Sequence, residues 1–252
     1  MRTLHRPAAV ALAAVLASAA APARAAGFSP GEETVLEVTY LGLPTGEGRI
    51  LVGDPAGDVW PVIFQAKTRG VVGFIDIREH FVSYWDAVSR LTRGSDLRAF
   101  EIGDYHQDTQ RFDRANGQAT LTIQRKGKTS TRTIPVVPDV QDLTSAFMWL
   151  RLQPLASGQR YEVPVVSGDK PFTLVAEVLE REAVEAPAGK FQTVKLQVRT
   201  ELDGKFSTKR DSFMWLSDDP RHVLVKASAD FVVGSIVARL KTYRPGTQVA
   251  ER

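Results

Sequence analysis

The sequence predicts a mainly β protein: a curved antiparallel β-sheet, half-barrel or clam-like, with one central apolar α-helix. Three observations predict it. From Phe28 onward apolar residues recur with period two rather than 3.6. Turn-forming residues separate these runs at short intervals, which favours hairpins over helical crossovers. One segment, 142–152, breaks the alternation with a helical apolar pattern.

The N-terminus comes first. Arg2, His5 and Arg6 precede an apolar run, 8–21, built almost wholly of Ala, Val and Leu, and Ala23-Arg24-Ala25 offers small residues where a signal peptidase reads. Ser18 interrupts the run and Pro22 ends it, short of the ~20 residues that a spanning helix needs. Residues 1–25 are therefore expected to be a cleaved signal peptide, with no transmembrane anchor. Residues 26–252 are expected to form one β domain, periplasmic or secreted and soluble after cleavage. The leader's Arg2, Arg6 and Arg24 account for the whole excess of 32 Lys+Arg over 29 Asp+Glu. Without them the chain is formally neutral, so no nucleic-acid partner is expected. Cysteine is absent, which excludes thiol catalysis, thiolate metal sites, disulfides and lipid attachment at a Cys.

The strands follow. In 34–40, Leu36, Val38 and Tyr40 share one face while Glu37 and Thr39 take the other. In 191–199, Val194, Leu196 and Val198 oppose Lys195, Gln197 and Arg199. Similar runs cover 48–52, 61–67, 81–85, 97–102, 118–124, 172–179, 212–216, 223–229 and 235–243. One-sided strands suit an antiparallel sheet with one wet face. Asn116-Gly117, Pro187-Ala188-Gly189 and Leu202-Asp203-Gly204-Lys205 carry hairpin chemistry.

The helix joins two strand-rich halves, 28–137 and 155–245. Asp142 suits the N-cap, and Leu143, Ala146, Phe147 and Leu150 fall on one face. Met148 and Trp149 extend the apolar surface beyond that stripe, so the helix should be buried on two sides or touch a ligand.

Val137-Pro-Asp-Val-Gln-Asp142, Ser145-Ala-Phe-Met-Trp-Leu-Arg151, Glu185-Ala-Pro-Ala-Gly-Lys-Phe191, Met214-Trp-Leu-Ser-Asp-Asp219 and Gly234-Ser-Ile-Val-Ala238 together resemble the DUF3108 family of bacterial exported proteins. The resemblance implies an all-β envelope protein and carries over no catalytic residues. The Trp-Leu-Ser-Asp-Asp turn is also similar, more loosely, to LolA- and LolB-like carriers, which hold acyl chains between a sheet and a helix.

Candidate sites are few. His80, His106 and His222 form no metal-ligand motif, so no metal and no cofactor is expected. No nucleophile elbow is present and no catalytic residue is assigned. His106 with Tyr105 or Arg111 is conceivable in an enzyme acting on an envelope polysaccharide. Adjacent carboxylates, Glu32–Glu33 and Asp218–Asp219, would face opposite sides in a strand and cap and solvate in a turn. Strand patterns favour plain core for Trp85 and Trp215; Trp60 has both a core and a ligand reading, and Trp149 stays open between them. Arg125-Lys126-Gly127-Lys128 reads as a solvated hairpin tip. The leading expectation is a non-enzymatic binding or carrier protein for an apolar or amphiphilic envelope ligand, contacted by Phe147, Met148, Trp149 and Leu150. The alternatives are an assembly protein binding an envelope protein or glycan, and the polysaccharide enzyme.

Overall fold

The computed structural model describes residues 27–68, 77–101, 103–202, 205–206, 212–230 and 234–247. The expected signal peptide therefore lies outside the described residues. In chain order the elements are β1 (Glu33–Tyr40), β2 (Leu43–Val52), β3 (Val59–Thr68), β4 (Ile77–Asp86), β5 (Thr92–Glu101), β6 (Asp104–Asp113), β7 (Gln118–Arg125), β8 (Lys128–Pro135), α1 (Leu143–Leu150), β9 (Arg160–Ser167), β10 (Lys170–Ala186), β11 (Gly189–Leu202), β12 (Lys205–Phe206), β13 (Ser212–Ser217), β14 (Leu224–Asp230) and β15 (Ser235–Arg244). The expected mainly β fold with one helix is what forms.

One antiparallel sheet runs through both strand-rich halves in the order β8-β7-β6-β5-β4-β3-β2-β1-β15-β14-β13-β11-β10-β9, with the short β12 attached to β11. The halves join where β1 pairs β15, matching Leu36 with Leu240 and Val38 with Ala238. Nearly every other neighbour is a hairpin partner, as the turn chemistry requires. Asn116 and Gly117 lie in the β6–β7 turn, and Lys126-Gly127 form the β7–β8 tip with both φ angles positive (51° and 72°). Register shifts at Val178/Arg181 and Trp215/Leu216 mark bulges, which bend and twist the strands that carry them.

The sheet does not close. Its edges, β8 and β9, are bridged instead by the chain between β8 and α1. Gln141 pairs with Val165 in parallel, donating to the Pro164 carbonyl (2.8 Å) and accepting from Val166 N–H (2.9 Å). Arg114, from the β6–β7 turn, holds the same bridge by donating to the carbonyls of Pro138 (2.8 Å) and Val140 (3.0 Å). Arg132 on β8 meets Asp169 in the β9–β10 turn at 2.5 Å. Lys128, Arg132 and Pro135 blunt the β8 edge against pairing with another chain.

Helix α1 stands on the concave side. Asp142 caps it as expected, its Oδ1 accepting from Ser145 N–H (2.7 Å), with the Ser145 hydroxyl returning to the Asp142 N–H. Ala146, Met148 and Leu150 are fully buried. Leu150 enters the main core with Ala176, Val194, Leu196, Leu216, Val225 and Leu240. Met148 joins Val52, Val62 and Trp85, covered by Phe28 and Trp60. Ala146 meets Val163, Val165 and Leu174.

The helix C-terminus is held by a buried ion pair. Arg151 and Glu32, 2% and 4% exposed, meet at 2.7 Å. Arg151 also donates to the carbonyls of Arg221 (2.9 Å) and His222 (3.0 Å), while Glu32 accepts from the Tyr243 hydroxyl (3.1 Å). Burial and the Glu32 carboxylate push the Tyr243 phenol up to about 12. Of the two sequence readings of Glu32–Glu33, the side chains follow the one in which they take opposite sides: Glu32 is buried rather than solvated. Its neighbour Glu33 does turn outward, to Arg49 and Arg244.

Candidate functional site

Where α1 leaves the sheet uncovered, a cavity of about 420 Å³ remains. Its apolar walls are Ile50 of β2, Phe64 of β3, Phe81 of β4, Leu97 of β5 and Leu121 of β7, faced by Met214 and Leu224 from the other half. The helix contributes its N-terminal turn and one later residue: Asp142, Leu143, Thr144 and Phe147. Leu143 is 46% exposed at the cavity edge, although the rest of α1 is packed.

Strand pairing explains these neighbours. Ile50, Phe64, Phe81, Leu97 and Asp108 occupy one cross-strand row, and directly paired residues point to the same face. The next row holds Ala66, Glu79, Ala99 and His106. Another carries Val62, Ser83, Ser95, Gln110 and Leu121. The β4–β6 wall is thus amphipathic within the cavity: phenylalanine and leucine alternate with Glu79, Ser95, Asp108 and Gln110.

Three carboxyl groups line the space, and burial raises the pKa of each from its ordinary value. For Glu79 the like charge of Glu101 adds to burial and His106 opposes it. For Asp108, His106 and Arg125 oppose the effect of burial. Asp142 is raised by burial although Ser145 and Ser83 donate to it, Ser83 Oγ at 2.7 Å from Oδ2. Asp108 Oδ1 is shielded from solvent and accepts no hydrogen bond, and His106 Nδ1, two residues earlier on the same face, is likewise without a partner. Arg125 is committed to Asp104. Among the described residues no Lys, Arg or His side chain lines the cavity itself. Chemically, the arrangement offers an apolar container with hydrogen-bond acceptors on one wall.

A second recess of about 430 Å³ lies at the seam, between the chain after β8 (Val136, Val137 and Val140) and Pro164, Pro171 and Phe172. Thr173 and Glu201 are the polar residues of its lining.

Of the four predicted contact residues, Phe147 lines the cavity. Met148 and Leu150 face the core, and Trp149 packs edge-on against Tyr161 with ring centroids 5.9 Å apart. Trp85 and Trp215 are buried, Trp215 on the outer face beneath Lys226, whose Nζ lies 4.0 Å from the ring centroid. The three histidines stay apart: His80 Nδ1 meets Gln65 Nε2 at 3.0 Å and His222 Nδ1 meets the Arg151 carbonyl at 2.8 Å. Tyr105 and Arg111 lie an odd number of residues from His106 on β6, hence on the opposite face, so that trio does not converge. Among the described residues no group of three His, Asp or Glu side chains is placed to hold a metal ion. No described helix is long and apolar enough to cross a membrane.

Sequence reasoning missed Glu79, Asp108 and Gln110. One signal was present: extending the Phe81, Ser83, Trp85 phase two residues back places Glu79 on the inner face.

Fold and cavity together define a class: an open, curved β-sheet wrapped around one helix, with a hollow beside that helix. A DUF1849 protein from Brucella abortus, described as β-barrel-like, shares this fold at 12% identity, with a TM-score of 0.63 over 88% of this chain and 99% of that one. Two further solved structures align less well. A candidate lipoprotein of Parabacteroides distasonis matches at 12% identity over 86% of this chain and 97% of that one, with a TM-score of 0.35. A candidate exported protein of YmcC-like fold from Bacteroides fragilis matches at 11% identity over the same shares, with a TM-score of 0.34. No curated protein matches the sequence. The family model for DUF3108, a protein of unknown function, matches residues 35–241, and the chain belongs to that family.

Proposed function

We propose that this protein is an exported, non-enzymatic binding or carrier protein that holds an apolar or amphiphilic envelope ligand in the cavity beside α1. The observation that carries the reading is the hollow itself. A core normally packs to crystal-like density, yet about 420 Å³ stays open among Ile50, Phe64, Phe81, Leu97 and Phe147. Apolar pockets of ~300–1,000 Å³ with a few convergent polar groups are typical of small-ligand sites. Phe147 and Leu143 contact the ligand in this reading, while Met148, Trp149 and Leu150 hold the helix against the sheet. The leader-like residues 1–25 support delivery to the periplasm or beyond.

The test is native mass spectrometry of the protein purified from its own envelope, followed by solvent extraction and lipid analysis. A stoichiometric co-purifying lipid, lost on Leu143→Trp replacement at the cavity edge, is expected. Protein that stays empty even after incubation with envelope lipids would overturn the reading.

A further inference from the structure

We propose that the cavity selects amphiphiles by the charge of the head group, accepting an ammonium or other hydrogen-bond-donating head and rejecting an anionic one. This rests on the carrier reading above and names the ligand class for the same site. Three observations carry it. Among the described residues, every ionisable side chain lining the cavity is an acid: Glu79, Asp108 and Asp142. Asp142 is consumed by the helix cap and Ser83, which leaves Glu79 and Asp108 to face a ligand. Asp108 Oδ1 is withdrawn from solvent without a donor, which is costly unless a bound group supplies one.

Phe81 and Asp108 share one cross-strand row but are separated by Leu97, with Phe64 beyond Phe81, so the rings lie at least two strand spacings (~10 Å) from Asp108 and border the apolar end of the cavity. Among the described residues the other charged groups in register with this wall are Glu101, His106, Arg125, Lys128 and Arg132; Arg125 is paired with Asp104 and Arg132 with Asp169, and none of the five lines the cavity. A fatty-acid carboxylate would enter a low-dielectric space beside two more carboxyls, with no arginine or lysine among the described lining residues to neutralise it. The two ends of the ligand thus have separate hosts: the tail lies on Ile50, Leu97 and Phe147, and the head on the β4–β6 wall.

The experiment compares three probes of the mature protein at mildly alkaline pH and physiological salt. N-phenyl-1-naphthylamine, a neutral fluorophore, reports occupation of the cavity; dodecylammonium and dodecanoate compete for it. Dodecylammonium should displace the fluorophore at a concentration about tenfold or more below dodecanoate, the scale of one desolvated ion pair. Asp108→Asn and Glu79→Gln should each narrow that gap, read as the ratio of the two displacing concentrations within the same variant. Equal displacement, or preference for dodecanoate, with the fluorophore still bound would overturn charge selection and leave the carrier reading standing. No fluorophore binding at all would overturn both.

Discussion

Strands β10 to β15 and strands β3 to β7 belong to the same sheet, but they do opposite things with their concave faces. The first group presses Val194, Leu196, Leu216, Val225 and Leu240 against Leu150, while its Met214 and Leu224 reach the cavity. The second packs Val62 and Trp85 against Met148 but presents Phe64, Phe81 and Leu97, together with Glu79 and Asp108, to the hollow beside Leu143, Thr144 and Phe147. One short helix is therefore anchored most extensively on one side and lines a hollow on the other. The contrast teaches that stability and ligand contact are divided between two walls, so substitutions should separate them.

The largest effect should come from the buried ion pair that anchors the packed side. Arg151→Met leaves Glu32 without its cation and is expected to cost about 3–5 kcal/mol in denaturant unfolding. The double variant with Glu32→Leu should recover part of that loss. Met148→Ala or Leu150→Ala should cost about 2–5 kcal/mol, whereas Leu143→Ala on the hollow side should cost under about 1 kcal/mol. Similar losses at Leu143 and Leu150 would erase the division.

Asp142 sits between the two walls and allows a finer test. Asp142→Ala removes the cap and strands Ser83 and Ser145, for a loss of about 1–3 kcal/mol. Asp142→Asn keeps an N-cap acceptor and should cost far less. The folded protein holds the Asp142 proton more tightly than the unfolded chain does, because burial raises its affinity. Its contribution is thus fully present below the ordinary carboxyl range and is lost as pH rises through the raised value. Wild-type stability should accordingly decline relative to Asp142→Asn as pH is raised from acid, and parallel pH profiles for the two proteins would contradict this.

The smallest effect concerns binding. Glu79 and Asp108 are both raised by burial, so they take up protons at higher pH than exposed carboxyls do. Dodecylammonium affinity should fall on mild acidification, before ordinary carboxyls titrate, while affinity for the neutral fluorophore stays level. Coincident declines of both would point to unfolding rather than head-group release.

Much of this architecture was legible in the chain. Alternation marks β1, β3, β11 and β15 because each packs one face on apolar neighbours, and Asp142 reads as a cap because capping is local. The runs that escaped are instructive. Strand β6, Asp-Tyr-His-Gln-Asp-Thr-Gln-Arg-Phe-Asp, shows no apolar period because its inner residues face the hollow instead of core. Strand β8 is exposed along nearly all its length, and Pro164 interrupts β9. The apolar excess of α1 pointed to two-sided burial, but periodicity alone does not say which side meets packing and which meets space. Phe147 and Met148 are adjacent and equally apolar, and only the strand order assigns one to the cavity and the other to Trp85. Likewise Glu32 finds Arg151 across 119 positions, a distance over which no local pattern operates.

The junction of β1 with β15 has a consequence for how the molecule comes into being. Thr39 and Val237, 198 positions apart, lie on adjacent strands there, so the two arcs cannot be joined until nearly the whole chain is available. Such non-local pairing makes folding slow, because loop-closure entropy is spent before the contacts that reward it form. Until β15 arrives, the outer edge of β1 is a raw strand able to recruit another chain. Truncation before residue 235 should therefore yield aggregates rather than a smaller folded unit, and the unfinished chain needs protection until its last strand is delivered.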